Sequence, residues 1–359
     1  MKIVLTDETA YGYALDSTSA TGNGKWQCLL ARALTKAGWS VVVGVREQLS
    51  PGQEESVGGI RFVGMEKGSL IKAWSKLLTK ERPDWWYWQG SDPLWGAMLL
   101  VAKAKGVRGI FSTSFDSDVL PRQALTRRQR WWPLYAWGLR SVERIFVQHS
   151  GQMSALNQRL RAKTEIVPGL VPLSEVVKSR AQRGNYVAWV AVIRQPKRPD
   201  LLIEMARKTP DLRYIVCGGT TKHRSPAGYG ERFVEELKSL PNVDYLGQVP
   251  PAKAQEIIAN AAVLLCTSDQ EGFPNTFLES WSAGTPVVSL MIDPGGVIRE
   301  RGLGMVSDTV ERAIADVRSL VNSSETFESV STRARTYIEE VHSDAAVIKV
   351  FNKSIQGAA

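Results

Sequence analysis

One feature constrains this chain more than any other. Apolar runs of strand length alternate with amphipathic stretches of helix length, in two series on either side of a single break. MKIVLT reads as a buried strand, and the glycine-bearing loop SATGNGK follows it. WQCLLARALTKAG has helical spacing and ends at Gly38, and WSVVVGV is the next strand. Strand, helix, strand is the unit of a parallel α/β sheet. LLVAKAKG continues as helix, and VRGIFSTS and VERIFVQHS as strands. IVPGLVPLSE, residues 166 to 175, then breaks the pattern with two prolines and a glycine. The rhythm restarts with YVAWVAVI as strand, PDLLIEMARK as helix and LRYIVCGG as strand. VDYLGQV, AVLLCTS and TPVVSL are further strands, AKAQEIIANA and ERAIADVRSLV are helices, and AAVIKVFNKSIQ is a closing helix.

At 359 residues the chain is too long for one ordinary core. The expected division is a Rossmann-like domain over residues 1–170, a second over 171–340, and a C-terminal helix within 341–359 that could pack back on the first. Ligands of such doubly wound sheets bind at the carboxyl ends of the strands, and a cleft faced by two such domains is the default site. A composition of 43% hydrophobic and 23% charged residues suits a soluble globular protein. No apolar run reaches the roughly 20 residues of a membrane span. Asp7 and Glu8 stand where a signal peptide would need its apolar stretch, so the expected location is the cytoplasm. Cys28, Cys217 and Cys266 are odd in number, widely separated and without zinc spacing, as buried thiols in a reducing compartment would be. The formal charge of +9 points to an anionic partner: nucleic acid, acidic lipid or a phosphorylated small molecule.

DQEGFPNTFLESWSAGTPVV, Asp269 to Val288, narrows that choice. AVLLCTS ends near Ser268, so DQEGFP lies at the carboxyl end of a strand. Pro274 fits a helix start, and Gly284 fits its left-handed cap before TPVVSL. Glu271 then falls in the loop and Glu279 on the helix. Gly272 lets the backbone approach a ligand, and amides at the helix start suit an anion. Carboxylates for hydroxyls beside backbone donors for phosphate is what a nucleotide sugar needs. The bland alternatives are an exposed helix glutamate and, for Lys197, a solvated loop lysine.

EGFPNTFLE with SWSAGTPVVS resembles the E-x(7)-E signature of the group 1 retaining glycosyltransferases, which have the two-Rossmann GT-B fold. VAVIRQPKRPDLLIEMA resembles the family's phosphate-binding strand, loop and helix. IVCGG, GQVPPAKAQEIIANAAVLLCTS and DPGGVIRERGLG follow in the family's order. FVQHSGQMSALNQRL and IVPGLVPL resemble the segment before the domain crossover. The resemblance is strong over 186 to 305 and loose before 110. It implies a GT-B fold with an acceptor-side first domain and a nucleotide-sugar-binding second domain. It implies that Glu279 holds the donor's ribose, and that Glu271 with the amides of Gly272, Phe273 and Asn275 holds its sugar. Lys197 matches the lysine that meets the diphosphate. The family's arginine five residues earlier is Val192 here, and Arg194 is the nearest substitute. A diphosphate leaves without a protein-borne proton if its charge is neutralised, so Lys197 and Arg194 suffice in principle. No Asp-x-Asp pair follows a donor-side strand, so no cofactor and no divalent metal is expected.

In the first half, SATGNGKW fails the Walker pattern because Ser19 and Trp26 replace its glycine and hydroxyl residue. Gly22 and Gly24 then suit either a loop bordering the donor's phosphates or a simple turn. Asp116 and Asp118 follow the strand VRGIFSTS and could orient or deprotonate an acceptor hydroxyl, or could merely cap a loop. Many relatives carry a histidine before this aspartate, where this chain has Phe115. His149 follows VERIFVQ and could also serve the acceptor, although a lone strand-end histidine is more often structural. LTRRQRWWPLYAWGLRSV sets Arg127, Arg128 and Arg130 beside Trp131, Trp132, Tyr135 and Trp137. Residues 127–140 thus suit a weak contact with an anionic membrane and a lipid-linked acceptor, or a helix from Pro133 that packs its aromatics inward. The same composition could suit single-stranded nucleic acid, but no nucleic-acid-binding motif accompanies the charge and no such partner is expected. DWWYWQGSDPLW reads as core and cleft lining around another strand end. The expectation is a cytoplasmic, metal-independent glycosyltransferase acting on a glycan, glycolipid or small acceptor, with a bacterial surface-polysaccharide pathway implied by family association. A sugar-nucleotide epimerase of the same fold and a non-catalytic binding partner are the rivals.

Overall fold

The computed structural model describes residues 1–17, 21–125, 129–221 and 225–356. They form two compact units. Val171–Ser343 is one. Met1–Leu170 and the segment from Asp344 make the other, so the chain crosses between them at Leu170/Val171 and again at Ser343/Asp344.

The first unit is built on eight strands: β1 (Lys2–Thr6), β2 (Ser40–Val45), β3 (Glu54–Val57), β4 (Ile60–Gly64), β5 (Trp85–Gln89), β6 (Arg108–Ser112), β7 (Arg144–Val147) and β8 (Thr164–Ile166). Their spatial order is β3-β4-β2-β1-β5-β6-β7-β8. Among the described residues, only the β3–β4 hairpin of this sheet is antiparallel. The central strands are apolar along almost their whole length because helices cover both faces. β1 is buried at Ile3, Val4 and Leu5, and β5 at Trp85, Trp86 and Tyr87. One side of the sheet is filled by rings: Trp86 stands 5.0 Å from Trp74 and 5.4 Å from Trp95, whose ring lies 5.0 Å from Phe111. Helices Trp95–Ala104 and Trp132–Ser141 cross closely here. A Cβ on Gly96 would stand 2.4 Å from the Leu134 carbonyl oxygen, and one on Gly138 would stand 2.2 Å from Trp95 Nε1.

The closing helix, Asp344–Gln356, completes this first core. Val347, Phe351 and Ile355 are buried, and the Phe351 ring lies 5.7 Å from Trp39 and 5.2 Å from Phe146. Trp39 Nε1 donates to Asn352 Oδ1 at 3.1 Å.

The second unit has six parallel strands: β9 (Tyr186–Val190), β10 (Arg213–Cys217), β11 (Val243–Gly247), β12 (Val263–Cys266), β13 (Val287–Ser289) and β14 (Gly304–Val306). Their order, β11-β10-β9-β12-β13-β14, is the doubly wound arrangement, with its reversal of winding between β9 and β12. Arg183 ties this unit together from within. Its guanidinium donates to the carbonyls of Lys178, Ala259 and Ala283 and to Thr285, and lies 5.0 Å from the Phe327 ring. Two of those carbonyls sit at the ends of helices Pro251–Asn260 and Asn275–Ser282, which Arg183 thereby caps. Burial lowers the Arg183 pKa to about 10.

Candidate functional site

In an open α/β sheet, the loops that leave the two strands flanking the winding reversal form a crevice. In the second unit these are the loops after β9 and β12, and they carry Lys197 and Glu271. Lys197 ends a short 3-10 turn, Gln195–Lys197, and its Nζ is paired directly with the Glu271 carboxylate. Only 15% of the lysine side chain and 9% of the glutamate side chain are exposed, so most water is excluded from the pair. The backbones of the two loops are laced together. Thr267 Oγ1 donates to the Lys197 carbonyl at 2.7 Å and accepts from Trp189 Nε1 at 3.0 Å, and the Asp269 N–H donates to the Pro196 carbonyl at 3.0 Å. Burial pushes the Asp269 carboxyl and the Cys266 thiol up, with Arg198 opposing the shift at Asp269.

The other residues predicted for this unit lie on the same two loops and on the helix that follows the second. Arg194 immediately precedes the turn and is half-buried, whereas Val192 is 43% exposed. Gly272 and Phe273 are buried. The Phe273 ring packs 6.1 Å from Trp281 and 5.3 Å from His342, so this side chain anchors the loop and only its backbone is left to meet a ligand. Pro274 caps the helix Asn275–Ser282 rather than opening its first turn. Asn275 leads that helix, and Glu279 sits half-buried on its fifth position. Gly284 ends it at φ 68°, as its sequence suggested. The close approach of β9 and β10 depends on Gly218, at φ 153°, where a Cβ would stand 1.7 Å from the Ala191 carbonyl oxygen.

In the first unit, the crevice between β1 and β5 is used differently. Gly22 and Gly24 lie in the first turn of the helix Gly22–Lys36 and not in a loop, because Thr21 caps that helix by accepting from the Gly24 N–H. A helix unforeseen in the sequence, Glu8–Ala14, packs against it. A Cβ on Gly24 would lie 2.3 Å from Thr9 Oγ1. Gly24 is therefore explained by helix packing, while Gly22 is exposed.

Asp116 and Asp118 separate in role. Asp118 is fully buried and its Oδ2 accepts from the N–H groups of Ser114 and Phe115, so it caps the loop, and the acceptor-side reading of Asp118 is corrected to a structural one. Asp116 is 61% exposed and meets His149, which is 9% exposed: His149 Nε2 lies 2.9 Å from Asp116 Oδ1. The sequence thus supplied both members of this pair, although they stand 33 residues apart. It did not supply Gln152, whose Nε2 donates to the same Oδ1 at 2.9 Å.

Part of the basic aromatic segment can be placed. Arg127 and Arg128 lie outside the described residues. Arg130 lies over the Trp131 ring at 5.7 Å and Arg122 over Trp132 at 5.2 Å. Trp131, at 38%, and Arg140 are exposed, while Tyr135 is fully buried. Among the described residues no group of three or more His, Cys, Asp or Glu converges as a metal site, and no helix is long and apolar enough to cross a membrane.

Two Rossmann-like units in one chain are the architecture of the GT-B fold. A sucrose-phosphate synthase from Thermosynechococcus elongatus superposes with a TM-score of 0.80 at 15% identity, covering 100% of both chains. Anabaena HepE in complex with UDP and glucose gives 0.72 at 13% identity, covering 99% of this chain and 100% of that one. Residues 174–337, the stretch that holds Lys197, Glu271 and Glu279, match the family "Glycosyl transferases group 1". Among curated relatives, a D-inositol 3-phosphate glycosyltransferase of Mycobacterium sp. (strain KMS) is 30% identical over 200 residues, which is 53% of this chain and 40% of that protein. An alpha-galactosylglucosyldiacylglycerol synthase of Streptococcus pneumoniae is 29% identical over 154 residues, 39% of this chain and 41% of that protein. The matched region thus spans well under half the length of either relative.

Proposed function

We propose that this chain is a retaining, metal-independent glycosyltransferase that moves a sugar from a nucleotide-sugar donor to a hydroxyl of a glycan, glycolipid or small acceptor. The observation that carries the reading is the Lys197–Glu271 pair at the winding reversal of the second sheet. A diphosphate there replaces Glu271 as the partner of Lys197 and frees the carboxylate for sugar hydroxyls. Arg194 adds positive charge, Glu279 takes the ribose, and the amides of Gly272, Phe273 and Asn275 assist. As the anomeric carbon–oxygen bond to the diphosphate breaks, the acceptor oxygen bonds to the same carbon. The hydroxyl proton passes to the departing diphosphate, whose remaining charge is met by the cations. On the acceptor side we assign Asp116.

The family of the second unit and the activities named for its relatives support transfer over the two alternatives, epimerisation and non-catalytic binding. Arg122, Arg130 and the exposed Trp131 support weak contact with an anionic membrane carrying a lipid-linked acceptor at its cytoplasmic face. A thermal-shift screen with UDP-glucose, UDP-N-acetylglucosamine and GDP-mannose tests the donor site, because a ligand bound only by the folded state raises Tm. Release of nucleotide should then depend on added acceptor. A sugar nucleotide isomerised without acceptor would instead identify an epimerase, and no shift with any compound would remove the reading. Flotation with anionic vesicles that disappears in high salt tests the membrane contact.

A further inference from the structure

The polar cluster beyond β6 and β7 has an internal order that fixes the role of each member. Gln152 is buried, and its Oε1 accepts from Thr113 Oγ1 at 2.7 Å and from the Gln148 N–H at 2.8 Å. Both are donors, so the amide can only lie with its nitrogen toward Asp116. His149 presents Nε2 to the same carboxylate oxygen. An acceptor there fixes the Nε2–H tautomer. His149 Nδ1 is buried and without a hydrogen-bond partner among the described residues. A Cβ on Gly151 would lie 3.0 Å from it. Neither imidazole nitrogen is therefore offered to a ligand. The usual order of a histidine–carboxylate pair is inverted here: the imidazole is inside, and the carboxylate reaches solvent.

We propose that His149 and Gln152 are positioning residues that lock Oδ1 of Asp116 and leave its Oδ2 to receive one hydroxyl of the sugar acceptor. The inference rests on the transferase reading. Asp116 Oδ2 accepts a hydrogen bond from that hydroxyl and so holds the acceptor. Losing one charge-assisted hydrogen bond of this kind is expected to cost about 10- to 100-fold.

The test uses the full chain and the nucleotide sugar that gives the largest thermal shift. Nucleotide release is measured in water alone and with free hexoses or octyl glucoside micelles as acceptors. Asp116→Asn should lower transfer about 100-fold, a larger loss than it causes in hydrolysis by water. His149→Ala and Gln152→Leu should raise the acceptor KM about 10-fold with the donor KM unchanged, and His149→Gln, which keeps an N–H donor, should recover most of the loss. Equal losses of hydrolysis and transfer in Asp116→Asn, or changes in Tm alone in the other variants, would overturn the proposal. Imidazole 15N spectra read the lock independently: His149 should show the Nε2–H tautomer in wild type and lose it in Asp116→Ala. A wild type that releases no nucleotide from any donor would sink the transferase reading and the acceptor role with it, while the 15N result would still stand on its own.

Discussion

The two sheets share a winding order around their reversal points, yet they furnish those points in opposite ways. In the second unit the crevice between β9 and β12 holds a buried cation and acid engaged with each other. In the first, the loop that leaves β1 runs into two helices packed on each other, with Gly24 against Thr9. Its exposed carboxylate stands instead beyond β6, held by residues from beyond β7. A crevice whose charges are mutually satisfied can take a charged ligand only by exchanging partners, which favours ligands bearing both anionic and hydroxyl groups. A carboxylate steadied from behind needs no exchange. Topology alone therefore does not locate a site. The groups placed at the reversal decide whether it is one.

The strongest way to break that contrast is Lys197→Ala. Turnover should fall about 1,000-fold, about 4 kcal/mol of transition-state stabilisation, with the chain still folded. A stable variant with normal turnover would mean that the engaged pair is only structural. Next, Arg183→Ala should destabilise the second unit by about 3 kcal/mol, because three carbonyls lose their donor inside a packed region. Hydrogen exchange should show the loss in β9 to β14 and not in β1 to β8. Gly24→Ala sharpens the comparison from the other side. Overpacking against Thr9 should cost about 1–3 kcal/mol of stability, and donor affinity measured below Tm should not move. A fall in affinity with stability intact would show that the first crevice binds ligand after all.

The smallest effect concerns acid. Arg61 and Lys80 hold the Glu54 carboxyl down at about 2, from its ordinary 4.5. A depressed carboxyl contributes stability above 4.5 and loses it as pH falls toward 2. The pair is exposed and salt-screened, so Glu54→Gln should flatten the acid limb of the first unit's melting curve by only a few tenths of a kcal/mol.

Much of this was legible because buried parallel strands are written as nearly unbroken apolar runs, and β1, β2, β9, β10 and β12 stand where such runs occur. The helix Glu8–Ala14 was not, since ETAYGYA is short and shows no helical stripe. The hairpin β3–β4 and the helix Ser324–Tyr337 were missed for related reasons: EESV carries two charges in four residues, and SETFESVSTRARTY is mostly polar. Asp116 and Asp118 could not be told apart because a two-residue spacing does not reveal which way a 3-10 turn will face each side chain. Gln152 left no signal at all. A glutamine on a short helix acquires its meaning only when β6 and β7 lie side by side and bring Thr113 and Asp116 to it.

The closing helix has a consequence for how the molecule is made. Phe351 and its neighbours belong to a core whose other members, from Ile3 to Leu170, precede them in the chain by at least the whole of the second unit. A ribosome that has delivered the whole of the second unit has still not delivered everything the first one needs. The domain begun first is thus the one completed last, and until the final turns emerge, Trp39 and Phe146 wait with one wall of their pocket missing.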